Sequence, residues 1–117
     1  MGQAVLYFEI IAPNMKQSGE FYASLFDWEV SSSDDPNYSL AMTGGDNGVF
    51  GGIGQAEKSG DERVTLYAGV DDVQAYLDKA EKLGGKTVQP PTDIPGYGTV
   101  ALFADPAGQV TGLWNRA

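Results

Sequence analysis

Two residue types are absent from this 117-residue chain: it has no cysteine and no histidine. Without cysteine, neither a disulfide framework nor a thiolate metal site is possible. Without histidine, the chain lacks the commonest neutral metal ligand and the usual acid–base group near pH 7. Any chemistry falls to carboxylates, hydroxyls, Lys, Arg or a bound ion. Basic residues are scarce, with 7 Lys and Arg against 16 Asp and Glu and a net charge of −9. Phosphate backbones are held by basic stripes, and this chain has none, so neither nucleic acid nor an anionic membrane is an expected partner. No apolar run approaches the roughly 20 residues of a membrane span. The N-terminus carries neither the basic segment nor the apolar stretch of a secretory signal, which makes the cytoplasm the expected location.

What is present is an ordinary globular composition, 42% hydrophobic and 20% charged, long enough to bury a core as one domain. It is also an internal repeat. Asn14 opens a helical pattern running into Leu25-Phe26-Asp27-Trp28, and Asp72 opens another, 58 residues on, running into Leu83-Gly84-Gly85-Lys86. Tyr38–Thr43 and Val49–Ile53 reappear as Thr99–Ala104 and Val110–Trp114 at an offset of 61. A constant offset that changes once indicates two copies of one module with a longer loop in the second.

Within each copy the pattern reads β-α-β-β-β. Ala4–Ile11 is a short apolar strand ended by Pro13. Asn14 caps a helix, with Gln17 in a capping-box position and Met15, Tyr22, Leu25 and Phe26 as its apolar stripe. Strands follow at 28–32, 38–43 and 49–54, the last two joined across Gly44–Gly48. Polar residues 55–61 read as a linker. Arg63–Val70 repeats the first strand, and Asp71 or Asp72 caps a second helix with Val73, Tyr76, Leu77, Ala80 and Leu83 inward. Gly84-Gly85 stops that helix. Lys86–Gln89 is a strand, Pro90–Gly98 a loop, and 99–104 with 109–114 a hairpin. The expected organisation is a single domain with module one at about 1–54, a linker at 55–61 and module two at about 62–117.

Glu20-Phe21-Tyr22-Ala23-Ser24-Leu25-Phe26-Asp27-Trp28 resembles a characteristic segment of the glyoxalase/bleomycin-resistance/dioxygenase, or vicinal oxygen chelate, superfamily. Val70-Asp71-Asp72-Val73, Leu83-Gly84-Gly85-Lys86 and Phe103-Ala104-Asp105-Pro106-Ala107-Gly108 are similar to that superfamily's second module. With Pro95-Gly96-Tyr97-Gly98 before them, they look most like the bacterial predicted enzymes related to lactoylglutathione lyase. The resemblance covers essentially the whole chain. It implies an α+β fold in which two βαβββ modules form an eight-stranded open half-barrel cup with flanking helices. It also implies a homodimer, since many small relatives are dimers.

In metal-dependent members, four side chains from the first and fourth strands of each module hold a divalent ion that acts as a Lewis acid. Carried over by spacing, those positions fall on Tyr7, Gly51, Thr65 and Gly112. Two glycines supply no ligand, and a neutral Tyr and a Thr are poor ones. The expectation is therefore no metal and no cofactor.

Strand alternation places Tyr7 and Glu9 toward the cup with Thr65 and Tyr67, and puts Phe8, Ile10, Leu66 and Ala68 under the helices. The same alternation places Val49, Gly51 and Ile53, and Val110, Gly112 and Trp114, on the cup side. Glu9 stands out, because a carboxylate among apolar neighbours needs a partner. It reads either as a ligand-orienting acceptor or general base, or as a structural Glu bonded to backbone or to Tyr7; Arg63 is a possible partner. The glycines either admit a flat ligand or mark a bend. Tyr67 and Trp114 either stack a planar ligand or fill the core, and Tyr97 either closes over that ligand or does not. The candidate binding residues are thus Tyr7, Glu9, Gly51, Thr65, Tyr67, Tyr97, Gly112 and Trp114, with Glu9 the one catalytic candidate. The leading expectation is a metal-free small-molecule-binding protein for a hydrophobic or planar compound. The alternative is a lyase or isomerase that uses Glu9 or an unrecognised metal site.

Overall fold

A computed structural model describes residues 2–116. Eight strands and two helices follow one another as β1 (Val5–Ala12), α1 (Met15–Phe26), β2 (Glu29–Ser32), β3 (Tyr38–Met42), β4 (Phe50–Gln55), β5 (Arg63–Gly69), α2 (Val73–Lys82), β6 (Lys86–Ile94), β7 (Gly98–Ala104) and β8 (Val110–Arg116). The class is α+β, and both halves have the β-α-β-β-β order that the repeat predicts. The chain divides into two compact units, residues 6–65 and residues 66–116 with 2–5. The division falls within β5, and residues 55–61 lie inside the first unit. Arg63, at the start of β5, hydrogen-bonds to Glu9 within the first unit.

In the first unit the strand order is β2-β3-β4-β1, with β1 and β4 parallel and the other pairs antiparallel. The parallel pair sets Tyr7 beside Phe50, Phe8 beside Gly51 and Glu9 beside Gly52. Asn14 caps α1 by accepting from the Gln17 amide at 3.1 Å, and the helix closes at Asp27 in the left-handed region. Gln55, at the end of β4, accepts from the Met15 amide and donates to the Pro13 carbonyl, tying the helix start to the sheet. The core under α1 is Ile10, Ala41 and Ile53, with Phe8, Met15, Tyr22, Trp28 and Val30 packed on it.

The predicted apolar stripe of α1 needs correction. Met15 and Tyr22 face the core, but Leu25 and Phe26 are more than half exposed, as is Phe21. Gly19 is the buried residue of α1, with Val30 beside it. The packing face thus runs along Met15, Gly19 and Tyr22, one side of the expected stripe.

In the second unit the order is β5-β8-β7-β6, with β5 and β8 parallel and the other pairs antiparallel. Asp72 caps α2 by accepting from the Ala75 amide at 3.0 Å, and Gly84 takes φ +101° just past the helix end. Val70, Val73, Leu77, Ala101 and Leu113 form the core, with Tyr76 and Phe103 against it. Leu83 and Leu66, both expected inside, are exposed. The predicted loop 90–98 is largely strand, because β6 runs on through Pro90 and Pro91 to Ile94. It is an edge strand with register shifts at Thr87/Gln89 and Gln89/Thr92, where a missing proline N–H costs no ladder bond.

Candidate functional site

One polar network organises the first unit. β1 presents Tyr7 and Glu9 on one face, as alternation requires, and β3 brings Tyr38 across from beyond β4. The Tyr38 hydroxyl donates to Glu9 Oε2 at 2.9 Å. The Tyr7 and Tyr38 hydroxyls are 2.5 Å apart. From β5, Arg63 donates through Nη2 to Glu9 Oε1 at 2.9 Å and through Nη1 to Thr65 Oγ1 at 2.6 Å. The Glu9 side chain is only 13% exposed and that of Arg63 28%, so the ion pair is largely withdrawn from water. Burial, then the Glu9 charge, then Tyr7 push the Tyr38 phenol far above its ordinary pKa. Phe50 meets the Tyr7 ring edge-on at 5.1 Å.

The network lies over bare backbone. A Cβ on Gly52 would overlap the hydroxyls of both Tyr38 and Tyr7. Gly51, the residue carried over as a metal position, instead faces Phe8 and the core under α1. Ile53 likewise lies in that core rather than on the Tyr7 face. The cup-side reading of β4 is thus wrong by one residue, since parallel pairing puts Gly52 beside Glu9. The pairings Glu9 with Gly52 and Tyr67 with Gly112 make Gly52, not Gly51, the counterpart of Gly112, so the repeat offset of 61 is one residue too large. In the second unit the expected face holds, because Gly112 lies against the ring of Tyr67.

The remaining candidates belong to the second unit. Tyr67 (7% exposed) and Trp114 (8% exposed) are built into the structure rather than laid open. Trp114 donates its indole N–H to the Tyr97 carbonyl at 3.0 Å and lies under Arg116. Tyr97 itself is 52% exposed. Elsewhere in this unit, a cleft of about 320 Å³ runs between α2 and the 104–106 turn, with Tyr76, Leu83, Phe103 and Pro106 in its walls.

Sequence reasoning singled out Tyr7, Glu9 and Thr65, which the structure joins through Arg63 and Tyr38. It missed Tyr38 and Phe50, and read Gly52 only with Gly51, as admitting a flat ligand or marking a bend. The β3–β4 register, a pairing with no local signal in the sequence, puts Tyr38 opposite Gly54 on the face of Ile11. The donors assembled here do not suit a divalent ion. They are two phenols bonded to each other and a carboxylate with an oxygen on each of two partners, one of them a guanidinium cation. Among the described residues, no group of three or more His, Cys, Asp or Glu is placed to hold a metal. Among them, too, no helix is long and apolar enough to cross a membrane.

Comparison with known proteins places this architecture. The anthracycline biosynthesis protein DnrV of Streptomyces peucetius is 27% identical over 97% of this chain and 47% of its own length. CFP32 of Mycobacterium bovis, which carries a glyoxylase name, is 32% identical over 82% of this chain and 39% of its own. The chain therefore spans less than half the length of these curated relatives. Among solved structures, Streptomyces coelicolor methylmalonyl-CoA epimerase in complex with 2-nitronate-propionyl-CoA superposes with a TM-score of 0.67 at 14% identity, covering 98% of both chains. Protein BH1468 of Bacillus halodurans gives 0.72 at 11% identity, covering 100% of this chain and 96% of its own. These two likenesses establish the fold. The Glyoxalase-like domain family matches residues 6–113, and the chain belongs to that family, within the vicinal oxygen chelate superfamily.

Proposed function

We propose that this chain is a metal-free small-molecule-binding protein whose recognition element is the Tyr7–Tyr38–Glu9–Arg63 network. The observation that carries the reading is the pair of phenol hydroxyls over Gly52. They stand beside the carboxylate on the face where metal-dependent members of the superfamily gather ligands. Both Glu9 oxygens are engaged, one by Tyr38 and one by Arg63. A general base would have to leave those bonds to reach a substrate, so Glu9 acts as an orienting acceptor, in preference to the lyase or isomerase reading. The rings of Phe50, Tyr7 and Tyr38, the last lying over Gly52 and Gly54, suit a hydrophobic or planar compound. The net charge of −9 favours a neutral or cationic one.

Titration with a panel of planar aromatic compounds, followed by amide NMR, tests this. Shifts should concentrate at residues 7–9, 38 and 50–54, and Glu9→Ala should weaken binding roughly ten-fold or more. Shifts confined to other parts of the chain, or stoichiometric uptake of a transition metal after metal loading, would overturn it.

We also propose that the chain works as a homodimer. Phe21, Leu25 and Phe26 form an exposed apolar surface on α1, of the kind that marks association sites. Sedimentation equilibrium should show a dimer in the wild type and a monomer in Phe21→Ser/Leu25→Lys; a monomeric wild type at micromolar concentration removes this part.

A further inference from the structure

We infer that Asn47 is a site of spontaneous modification, where the chain converts its own side-chain amide to aspartate and isoaspartate in water. This does not depend on the ligand reading above. Residues 43–49 join β3 to β4 outside any strand, and every residue from Gly44 to Val49 is exposed. Asn47 is followed by Gly48, so no side chain screens the Gly48 nitrogen from the Asn47 amide carbon.

The Gly48 nitrogen is the nucleophile. It bonds to Asn47 Cγ, the Cγ–Nδ2 bond breaks, and ammonia leaves with the proton that Gly48 gives up. The product is a cyclic imide, which water opens at either carbonyl. Opening at Cγ yields aspartate with the main chain unaltered. Opening at the Asn47 main-chain carbon yields isoaspartate, and the chain then runs through the former side chain, one methylene longer. Either way one water enters, one ammonia leaves and a carboxylate appears beside Asp46. Isoaspartate lengthens the connection between the strands whose register sets Leu40 beside Gly52.

The structure separates Asn47 from the other three asparagines. A backbone N–H held in a hydrogen bond resists giving up its proton. Among the described residues, the Gly48 N–H has no such bond. After Asn14, the Met15 N–H donates to Gln55 Oε1, and Asn14 itself is held as the helix cap. After Asn37, the Tyr38 N–H donates to the Asp35 carbonyl. Asn115 lies within β8 and donates Nδ2 to the Asp71 carbonyl. None of these three precedes a glycine. The fold also requires Gly48, because a Cβ there would overlap the Gly44 carbonyl oxygen and Thr43 Oγ1, which is bonded to the Val49 carbonyl.

The purified protein is incubated at pH 6 and at pH 8, then digested and mapped by mass spectrometry. Asn47 should lose its amide at least about ten-fold faster than Asn14, Asn37 or Asn115, a barrier lower by about 1.4 kcal/mol or more. Loss should be faster at pH 8, because the Gly48 nitrogen attacks once its proton is gone. Both aspartate and isoaspartate should appear at position 47. Asn47→Gln keeps an amide but needs a larger ring, so the acidic species seen on ion exchange should disappear in that variant. Faster loss at any other asparagine overturns the inference. So does an acidic species that persists in Asn47→Gln, or an Asn47 that stays intact while a synthetic peptide of residues 43–49 converts. Aspartate without isoaspartate would mean direct hydrolysis of the amide and would overturn the role of Gly48.

Discussion

Gly52→Ala should destabilise the protein by about 3 kcal/mol, lowering the melting temperature by roughly 10 °C, although it adds one methyl group. The added Cβ would overlap the Tyr38 hydroxyl, its ring carbon Cζ and the Tyr7 hydroxyl. None of these can retreat cheaply. The Tyr38 oxygen is bonded to Glu9 and Tyr7, and the Tyr7 ring is packed against Phe50. Relief requires either moving two aromatic rings in a close-packed region or breaking the network and leaving the Glu9–Arg63 pair without its third member. Gly2→Ala is the control, because a Cβ there meets nothing within 4 Å. The cause is checked by repeating Gly52→Ala in a Tyr38→Leu background. Removal of the ring should recover much of the loss as a favourable coupling between the sites. Equal thermal unfolding of Gly52→Ala and Gly2→Ala would refute the assignment of Gly52 as the floor of the network.

The same residue shows where sequence reasoning stopped. The module order, both helix caps and the face of Tyr7 and Glu9 were legible, because each rests on a local rule. A capping side chain acts within three residues, and strand alternation needs no knowledge of a neighbour. The face of β4 was not legible. Val49-Phe50-Gly51-Gly52-Ile53 places apolar or glycine residues at both parities, so the pattern does not say which side is inward. The choice is made by the β1–β4 register, a pairing across 43 residues between Tyr7 and Phe50. The repeat offset was an inadequate substitute, since an error of one residue exchanges the two faces. Tyr38 was hidden for a related reason. On paper it begins a half-exposed strand; only its crossing over Gly52 and Gly54 makes it a partner of Glu9. The exposed end of α1 fails in the opposite way. Leu25 and Phe26 satisfy helical periodicity, but periodicity does not say which side of the stripe the sheet covers.

Tyr38→Phe should change how stability depends on alkaline pH, and by an amount large enough to measure. In the folded chain the Tyr38 phenol holds its proton far above the ordinary value, because of burial first, then the Glu9 charge, then Tyr7. In the unfolded chain it ionises near pH 10, like any exposed tyrosine. Below that pH both states carry the proton, so Tyr38 gives stability no pH dependence. Above it the folded state binds one proton more than the unfolded state, and stability falls as pH rises. The slope for one proton is about 1.4 kcal/mol per pH unit. Tyr38→Phe has no proton to hold and lacks this contribution. Its stability relative to wild type should therefore be constant from pH 7 to 9, then move in the variant's favour by that slope above pH 10. Urea unfolding of both proteins at pH 8, 10 and 11 measures this difference, and the four tyrosines outside the network largely cancel between them. Parallel stability curves through pH 11 would mean that Tyr38 ionises in the folded state as easily as in the unfolded one. The phenol would then not be held between Glu9 and Tyr7, and the Tyr7–Tyr38–Glu9 network would lose its middle link.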